Sequence, residues 1–172
     1  IPKLPSDLKV PVLLVQHMPR GFTKSLAERL DELSPLPVKE AEDGDVLQAG
    51  HVYVAQGGKH MKVAMQGAKA CLQLTDEPAR EGVKPCANYM YESLAESVYD
   101  EIICVVLTGM GGDGTAGIKN LETQKKVCVV AQNEETCAVY GMPKSIVATG
   151  LASAIVPISQ VADEILKNVG VR

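Results

Sequence analysis

The chain has 172 residues, 46% of them hydrophobic and 22% charged, with a net charge of -4 and a pI near 5.4, a composition that suits one globular domain with a full core and excludes a disordered chain. The acidic balance supplies no basic face for polyanions, and one Phe with no Trp leaves few platforms for stacking bases, so nucleic acid is not an expected partner. No apolar run reaches the roughly 18 to 20 residues of a membrane span and no basic leader precedes an apolar stretch, which points to a cytoplasmic protein without membrane insertion.

Residues Val10 to Gln16, "VPVLLVQ", form a short β-branched run bounded by Pro, read as a strand buried on both faces. In the next stretch, "HMPRGFTKSLAERLDEL", a Pro and Gly loop leads into a helix with Thr23 as its N-cap and Leu26, Leu30 and Leu33 at helical spacing. Residues 38 to 75 change character: short alternating runs are split by Asp43-Gly44, Ala49-Gly50, Gln56-Gly57-Gly58 and Gln66-Gly67, a punctuation that predicts hairpins and antiparallel pairing. A helix is expected from Ala87 to Tyr99, and a second buried strand from Glu101 to Thr108. After a Gly-rich loop come a helix from Thr115 to Gln124, a strand "VCVVAQ" and a short helix from Pro143 to Thr149. A strand at Ala154 to Pro157 and a closing helix from Ser159 to Val169 complete the order.

Strands alternating with helices predict parallel pairing through right-handed crossovers. The expected fold is α/β: a doubly wound, mostly parallel sheet with helices on both faces and an antiparallel hairpin appendage, in one domain spanning 1–172. The five cysteines show no C-x-x-C spacing and are odd in number, which favours buried reduced thiols over disulfides. Three scattered histidines without carboxylates at ligand spacing give no metal site, and no cofactor is expected.

Sites in such sheets lie at the carboxyl ends of strands. Two loops qualify, "QHMPRGFT" after the first strand and "TGMGGDGT" after the later one. The second contains Gly109-Met110-Gly111-Gly112-Asp113-Gly114, a G-x-G-x-x-G spacing that could mark a nucleotide-binding module. Asp113 argues against that use, because a carboxylate where phosphates approach a helix N-terminus repels them. A different chemistry accommodates the acid: His17 and Asp113, each at a strand end, can pair so that the carboxylate accepts the imidazole N–H and stabilises the imidazolium during proton transfer. Backbone N–H groups around Met110 and Gly111 could then meet an oxyanion. Read individually, a His after a strand can equally be a packing residue, and an Asp before a helix an N-cap.

Four motifs carry a resemblance: "VQHMPRGFTKSLAERLD" (Val15 to Asp31), "DGDVLQAGHVYVAQGGKHM" (Asp43 to Met61), "VVLTGMGGDGTAGIKNL" (Val105 to Leu121) and "AQNEETCAVYGMPKS" (Ala131 to Ser145). Together, in order and over nearly the whole chain, they resemble the catalytic domain of the chemotaxis protein-glutamate methylesterases of the CheB type. The resemblance implies hydrolysis of glutamate methyl esters on methyl-accepting chemoreceptors, with glutamine deamidation in many members, by a Ser-His-Asp mechanism. It assigns His17 and Asp113 to the catalytic His and Asp, places the Met110 backbone near the developing oxyanion, and puts Tyr140 in a matched loop where it could line the substrate approach. His60 matches a family position and is read as structural. The family is commonly preceded by a receiver domain phosphorylated by a histidine kinase, a further partner that the resemblance suggests.

The family's serine lies in a Gly-Ser-Thr-Gly-Gly-like loop after a first strand, and no such loop occurs in these residues. The chain begins at Ile1 rather than Met, and the first strand, nucleophile loop and first helix are expected to lie outside it. On this reading the chain alone is inactive, and the absent strand leaves sheet edges open to aggregation. Lys84-Pro85 and Asn88 stand where the family usually has Arg-Pro and Asp, differences that leave room for a divergent substrate preference. A non-catalytic interaction domain that kept the fold is the remaining alternative.

Overall fold

The computed structural model describes residues 1–170, which form two compact units, Ile1–Val98 and a second beginning at Tyr99. The first unit opens with strand β1 (Val12–Leu14), helix α1 (Phe22–Leu33), β2 (Val38–Glu40) and β3 (Val52–Val54). These strands form a parallel sheet in the order β1-β3-β2, with Val52 opposite both Val12 and Val38. Val52, Tyr53 and Val54 are all buried, as expected of the central strand. The three residues of β1 are only half-buried, because β1 pairs with β3 alone. The expectation of a first strand buried on both faces is corrected accordingly.

A second correction concerns residues 38 to 75. The glycine-punctuated stretch does hold a hairpin, β4 (His60–Gln66) with β5 (Lys69–Thr75), antiparallel from His60↔Thr75 to Gln66↔Lys69 about Gly67 at φ +61°. Gly44 to Leu47 extends its edge through Gly44 N–H to the Leu72 carbonyl and Leu47 N–H to that of Ala70. β2 and β3, however, pair in parallel. Strands of three residues have too little alternation to tell the two modes apart. Helix α2 (Ala87–Ser93) packs on β4 and ends in a turn of 3-10 helix, so the predicted helix to Tyr99 stops earlier.

The second unit contains β6 (Glu101–Val106), α3 (Thr115–Glu122), β7 (Lys126–Gln132), α4 (Met142–Val147), β8 (Ala154–Val156) and α5 (Val161–Asn168). Its parallel sheet runs β6-β7-β8, in register from Glu101↔Lys126 to Val106↔Ala131 and from Val130↔Ala154 to Gln132↔Val156. Val129, Val130 and Ala131 of the middle strand are fully buried, with Ile118, Leu121 and Ile146 from the helices. β6 alternates instead: Ile102, Cys104 and Val106 are buried while Glu101 is exposed, so it is not buried on both faces as anticipated. The expected alternation of strands and helices with parallel pairing is present, and the fold is mixed α/β with one antiparallel strand pair.

Candidate active site

In the first unit, His17 lies in the loop that leaves the carboxyl end of β1, and it is half-buried. Two contacts fix this loop. A Cβ on Gly57 would come within 2.5 Å of the Pro19 carbonyl carbon and 2.6 Å of the Arg20 nitrogen, so glycine lets the two chain segments touch. The second contact is Thr23. Its hydroxyl accepts from the Gly57 N–H at 2.9 Å and donates to Glu40 Oε1 at 2.5 Å. Thr23 is therefore not the N-cap predicted for α1. The cap position falls on Gly21 at φ +89°, and the fully buried Thr23 side chain ties the first turn of the helix to the loop after β3 and to β2.

The other two histidines have different surroundings. His60 is fully buried, accepts the Cys86 N–H at Nδ1 (3.2 Å), lies with Nε2 3.1 Å from the Pro78 carbonyl oxygen, and packs on the Tyr89 ring at 4.5 Å. Both ring nitrogens are thus occupied by backbone, which fixes the tautomer and leaves no lone pair for proton transfer. His51 lies with Nδ1 3.1 Å from the Ala49 carbonyl. Around Tyr89, Lys62 and Arg80 stand 5.0 and 5.4 Å from the ring centroid. Lys62 is paired with Glu77, and Arg80 with Glu92. The hydrogen bond from Lys62 holds the Glu77 carboxyl well below its usual range, at about 2.

In the second unit, Asp113 is 2% exposed at the end of the loop between β6 and α3. The helix cap is Gly114 at φ +92°, not Asp113. Met110, by contrast, is 83% exposed at the tip of the same loop, and Gly111 takes φ +85°, a left-handed turn that favours glycine. Tyr140 reaches this loop from the segment between β7 and α4: Gly109 and Tyr140 form a parallel bridge, with the Gly109 N–H on the Val139 carbonyl at 3.0 Å. The Gly109 carbonyl accepts from Gly141 and Met142. A Cβ on Gly141 would lie 2.6 Å from that oxygen and 3.2 Å from Met110 Cα, so the two loops meet backbone to backbone. The structure thus brings Met110, Gly111, Asp113 and Tyr140 to one strand end of the second unit, and His17 to a strand end of the first.

Two second-unit residues went unnoticed in the sequence. Gln132, 2% exposed at the end of β7, accepts the Thr108 N–H at 2.8 Å and donates to the Thr136 carbonyl at 2.7 Å. Thr108 Oγ1 in turn exchanges hydrogen bonds with the backbone of Val139 at 2.9 and 3.1 Å. A polar side chain closing an apolar strand was the available signal. Cys71, Cys86 and Cys104 are buried, Cys128 and Cys137 half-buried, and all five are free thiols. Burial pushes the Cys104 thiol up to about 12, which makes it inert. Among the described residues no group of three His, Cys, Asp or Glu side chains could hold a metal ion, and no helix is long and apolar enough to cross a membrane.

Comparison with known proteins gives a consistent result. A family model described as CheB methylesterase matches residues 1–165. A protein-glutamate methylesterase/protein-glutamine glutaminase of Bacillus subtilis is 47% identical over 167 residues, which cover 96% of this chain and 46% of that protein. The corresponding protein of Geobacillus kaustophilus is 44% identical over 168 residues, covering 98% and 48%. The chain therefore spans about half the length of the curated relatives it matches. The crystal structure of the Thermotoga maritima CheB methylesterase catalytic domain superposes with a TM-score of 0.93 at 40% identity, over 98% of this chain and 88% of that one.

Proposed function

Because the chain belongs to the CheB methylesterase family, we propose that it is the larger part of a catalytic domain that hydrolyses glutamate methyl esters on methyl-accepting chemoreceptors and deamidates receptor glutamines. The observation that carries this reading is the family match over residues 1–165, which includes both His17 and Asp113 in loops at the carboxyl ends of parallel strands. In the complete domain His17 takes the proton of a serine hydroxyl as the oxygen attacks the ester carbonyl, then returns it to the departing methoxide, which leaves as methanol. Water repeats the sequence to free the carboxylate. For a glutamine side chain the same steps expel ammonia.

Asp113 stays ionised in this scheme, holding one imidazole tautomer and stabilising the imidazolium. The backbone N–H groups of Met110 and Gly111 donate to the developing oxyanion, on a turn kept open by the positive φ of Gly111. Tyr140, bridged to Gly109, lines the approach. The nucleotide reading of the glycine loop gives way to this assignment.

The serine is supplied from outside these residues. Ser93, Ser97 and Ser153 are engaged with nearby backbone, and Ser145 with Thr115. Ser25 lies exposed within helix α1, not in a glycine loop. Among the described residues the outer strands of the two parallel sheets, β1 and β2 in one and β6 and β8 in the other, each pair on one side, so a further strand carrying that serine has edges on which to build. On this reading residues 1–172 are one domain, inactive alone, that works in the cytoplasm on receptors and responds to a receiver domain and its histidine kinase.

The test is methanol release from methylated chemoreceptor membranes by the full-length protein containing this chain, beside its His17→Ala variant. Release that disappears in the variant is the expected result; no release from the folded wild-type protein with matched receptors contradicts the proposal.

A further inference from the structure

The glycine loop after β6 is bonded at its root and free at its tip. At the tip, Met110 and Gly111 make no hydrogen bond through their N–H groups among the described residues. At the root, the Gly109 N–H donates to the Val139 carbonyl, the Gly109 carbonyl accepts from Gly141 and Met142, and the Thr108 hydroxyl exchanges hydrogen bonds with the Val139 backbone. The Thr108 N–H is taken by Gln132 at the end of β7.

Gln132 can do this in one orientation only. Its Oε1 accepts the Thr108 N–H at 2.8 Å, while Nε2 donates to the Thr136 carbonyl at 2.7 Å and to Thr136 Oγ1 at 3.2 Å. Turning the amide over would set its hydrogens against the Thr108 N–H and its oxygen against the Thr136 carbonyl, two repulsions around a residue that is 2% exposed. Thr136 is itself committed: its hydroxyl donates to Asn133 Oδ1 at 2.6 Å and accepts the Ile158 N–H at 3.1 Å. A chain of hydrogen bonds thus runs from Ile158, beyond β8, through Thr136 and Gln132 to Thr108, beyond β6, and each member fixes the direction of the next.

We propose that Gln132 is a positioning residue for ester hydrolysis: by fixing Thr108 it aims the unbonded Met110 and Gly111 N–H groups at the point where the oxyanion forms. The proposal rests on the esterase reading, which gives those donors their use. A tip without bonds of its own takes its place from the residues that flank it, and oxyanion donors are effective only when set before the charge develops. Gln132 touches no reacting atom, so its loss lowers kcat and leaves KM little changed.

The experiment uses the full-length protein on methylated chemoreceptor membranes, with amide hydrogen exchange followed by NMR on the same variants. Gln132→Met keeps the volume and removes the bonds to Thr108 and Thr136. Val129→Ala, in the fully buried part of the same strand, is the control for stability lost without touching the loop. Gln132→Met is expected to lower kcat roughly 30- to 100-fold with KM within about twofold, and to speed exchange at Gly109. Val129→Ala lowers Tm and keeps kcat. Thr108→Val, at an exposed position, removes the hydroxyl that holds Val139 and lowers kcat roughly three- to tenfold, whereas Thr108→Ser retains it. A Gln132→Met protein with kcat within about twofold of Val129→Ala overturns the proposal, as does wild-type kcat in Thr108→Val should Gln132→Met fail to fold. If the wild type releases no methanol, the esterase reading alone falls and exchange decides. Faster exchange at Gly109 in Gln132→Met than in Val129→Ala then supports the anchor, and equal exchange overturns it.

Discussion

At the scale of single residues, the two groups placed in proton transfer are held by different means. Asp113 is withdrawn from water at the start of α3, while His17 sits half-exposed on a loop whose shape depends on Gly57. Asp113→Asn keeps the size and removes the charge proposed to orient the ring, so kcat for ester hydrolysis by the full-length protein should fall roughly 10³- to 10⁴-fold with KM little changed, as steady-state methanol assays would show. Gly57→Ala tests the other side. Its methyl group would meet the backbone of Pro19 and Arg20 at 2.5 to 2.6 Å, where no flexible side chain can move away. The cost should be roughly 1 to 3 kcal/mol, seen as a lower Tm by calorimetry, together with weakened turnover because the displaced loop carries His17. His17 and Asp113 stand out in the sequence because the loop that carries each follows an apolar strand. Thr23 was misplaced for an equally physical reason: its position looked like a cap, but the groups that claim its hydroxyl, Gly57 N–H and Glu40, come from 34 and 17 residues away. Gln132 escaped notice because both its partners lie on other segments.

Among the elements, the hairpin and the segment after it carry the clearest pH signature. Lys62 on β4 holds Glu77, whose carboxyl titrates at about 2 in place of an ordinary value of 4.5. A carboxyl depressed in the folded state binds its proton more readily when unfolded, so its contribution to stability is complete above pH 4.5 and is lost as pH falls toward about 2. The Tm difference between wild type and Glu77→Gln should accordingly be largest above pH 4.5 and close up below it; a difference constant across that range would rule out the pairing. The contribution is small, since the Glu77 and Lys62 side chains are 34% and 25% exposed. A second element-level expectation concerns the outer strands of the parallel sheets, β1 and β2 in one and β6 and β8 in the other, each paired with one neighbouring strand among the described residues. Light scattering on the isolated 172 residues should reveal association, whereas a monomer at high concentration would show the edges to be protected. Element order was the most legible feature of the sequence, because buried β-branched runs such as "VCVVAQ" and the heptad-like spacing of Leu26, Leu30 and Leu33 differ in period. The parallel pairing of β2 with β3 was hidden in strands too short to show a period, among glycines that elsewhere do mark a hairpin.

For the molecule as a whole, the proposed function rests on the roles that the family resemblance gives His17 and Asp113 in one proton-transfer sequence on a serine-bound intermediate. Groups that work as a unit lose their effect together, so their substitutions do not add. The most direct test is a double-mutant cycle on methanol release by the full-length protein: wild type, His17→Ala, Asp113→Asn and both together. The account predicts that the double variant is no slower than His17→Ala alone, because an orienting carboxylate has nothing to orient once the imidazole is gone. Losses that multiply, or a His17→Ala protein that keeps wild-type turnover, would contradict it.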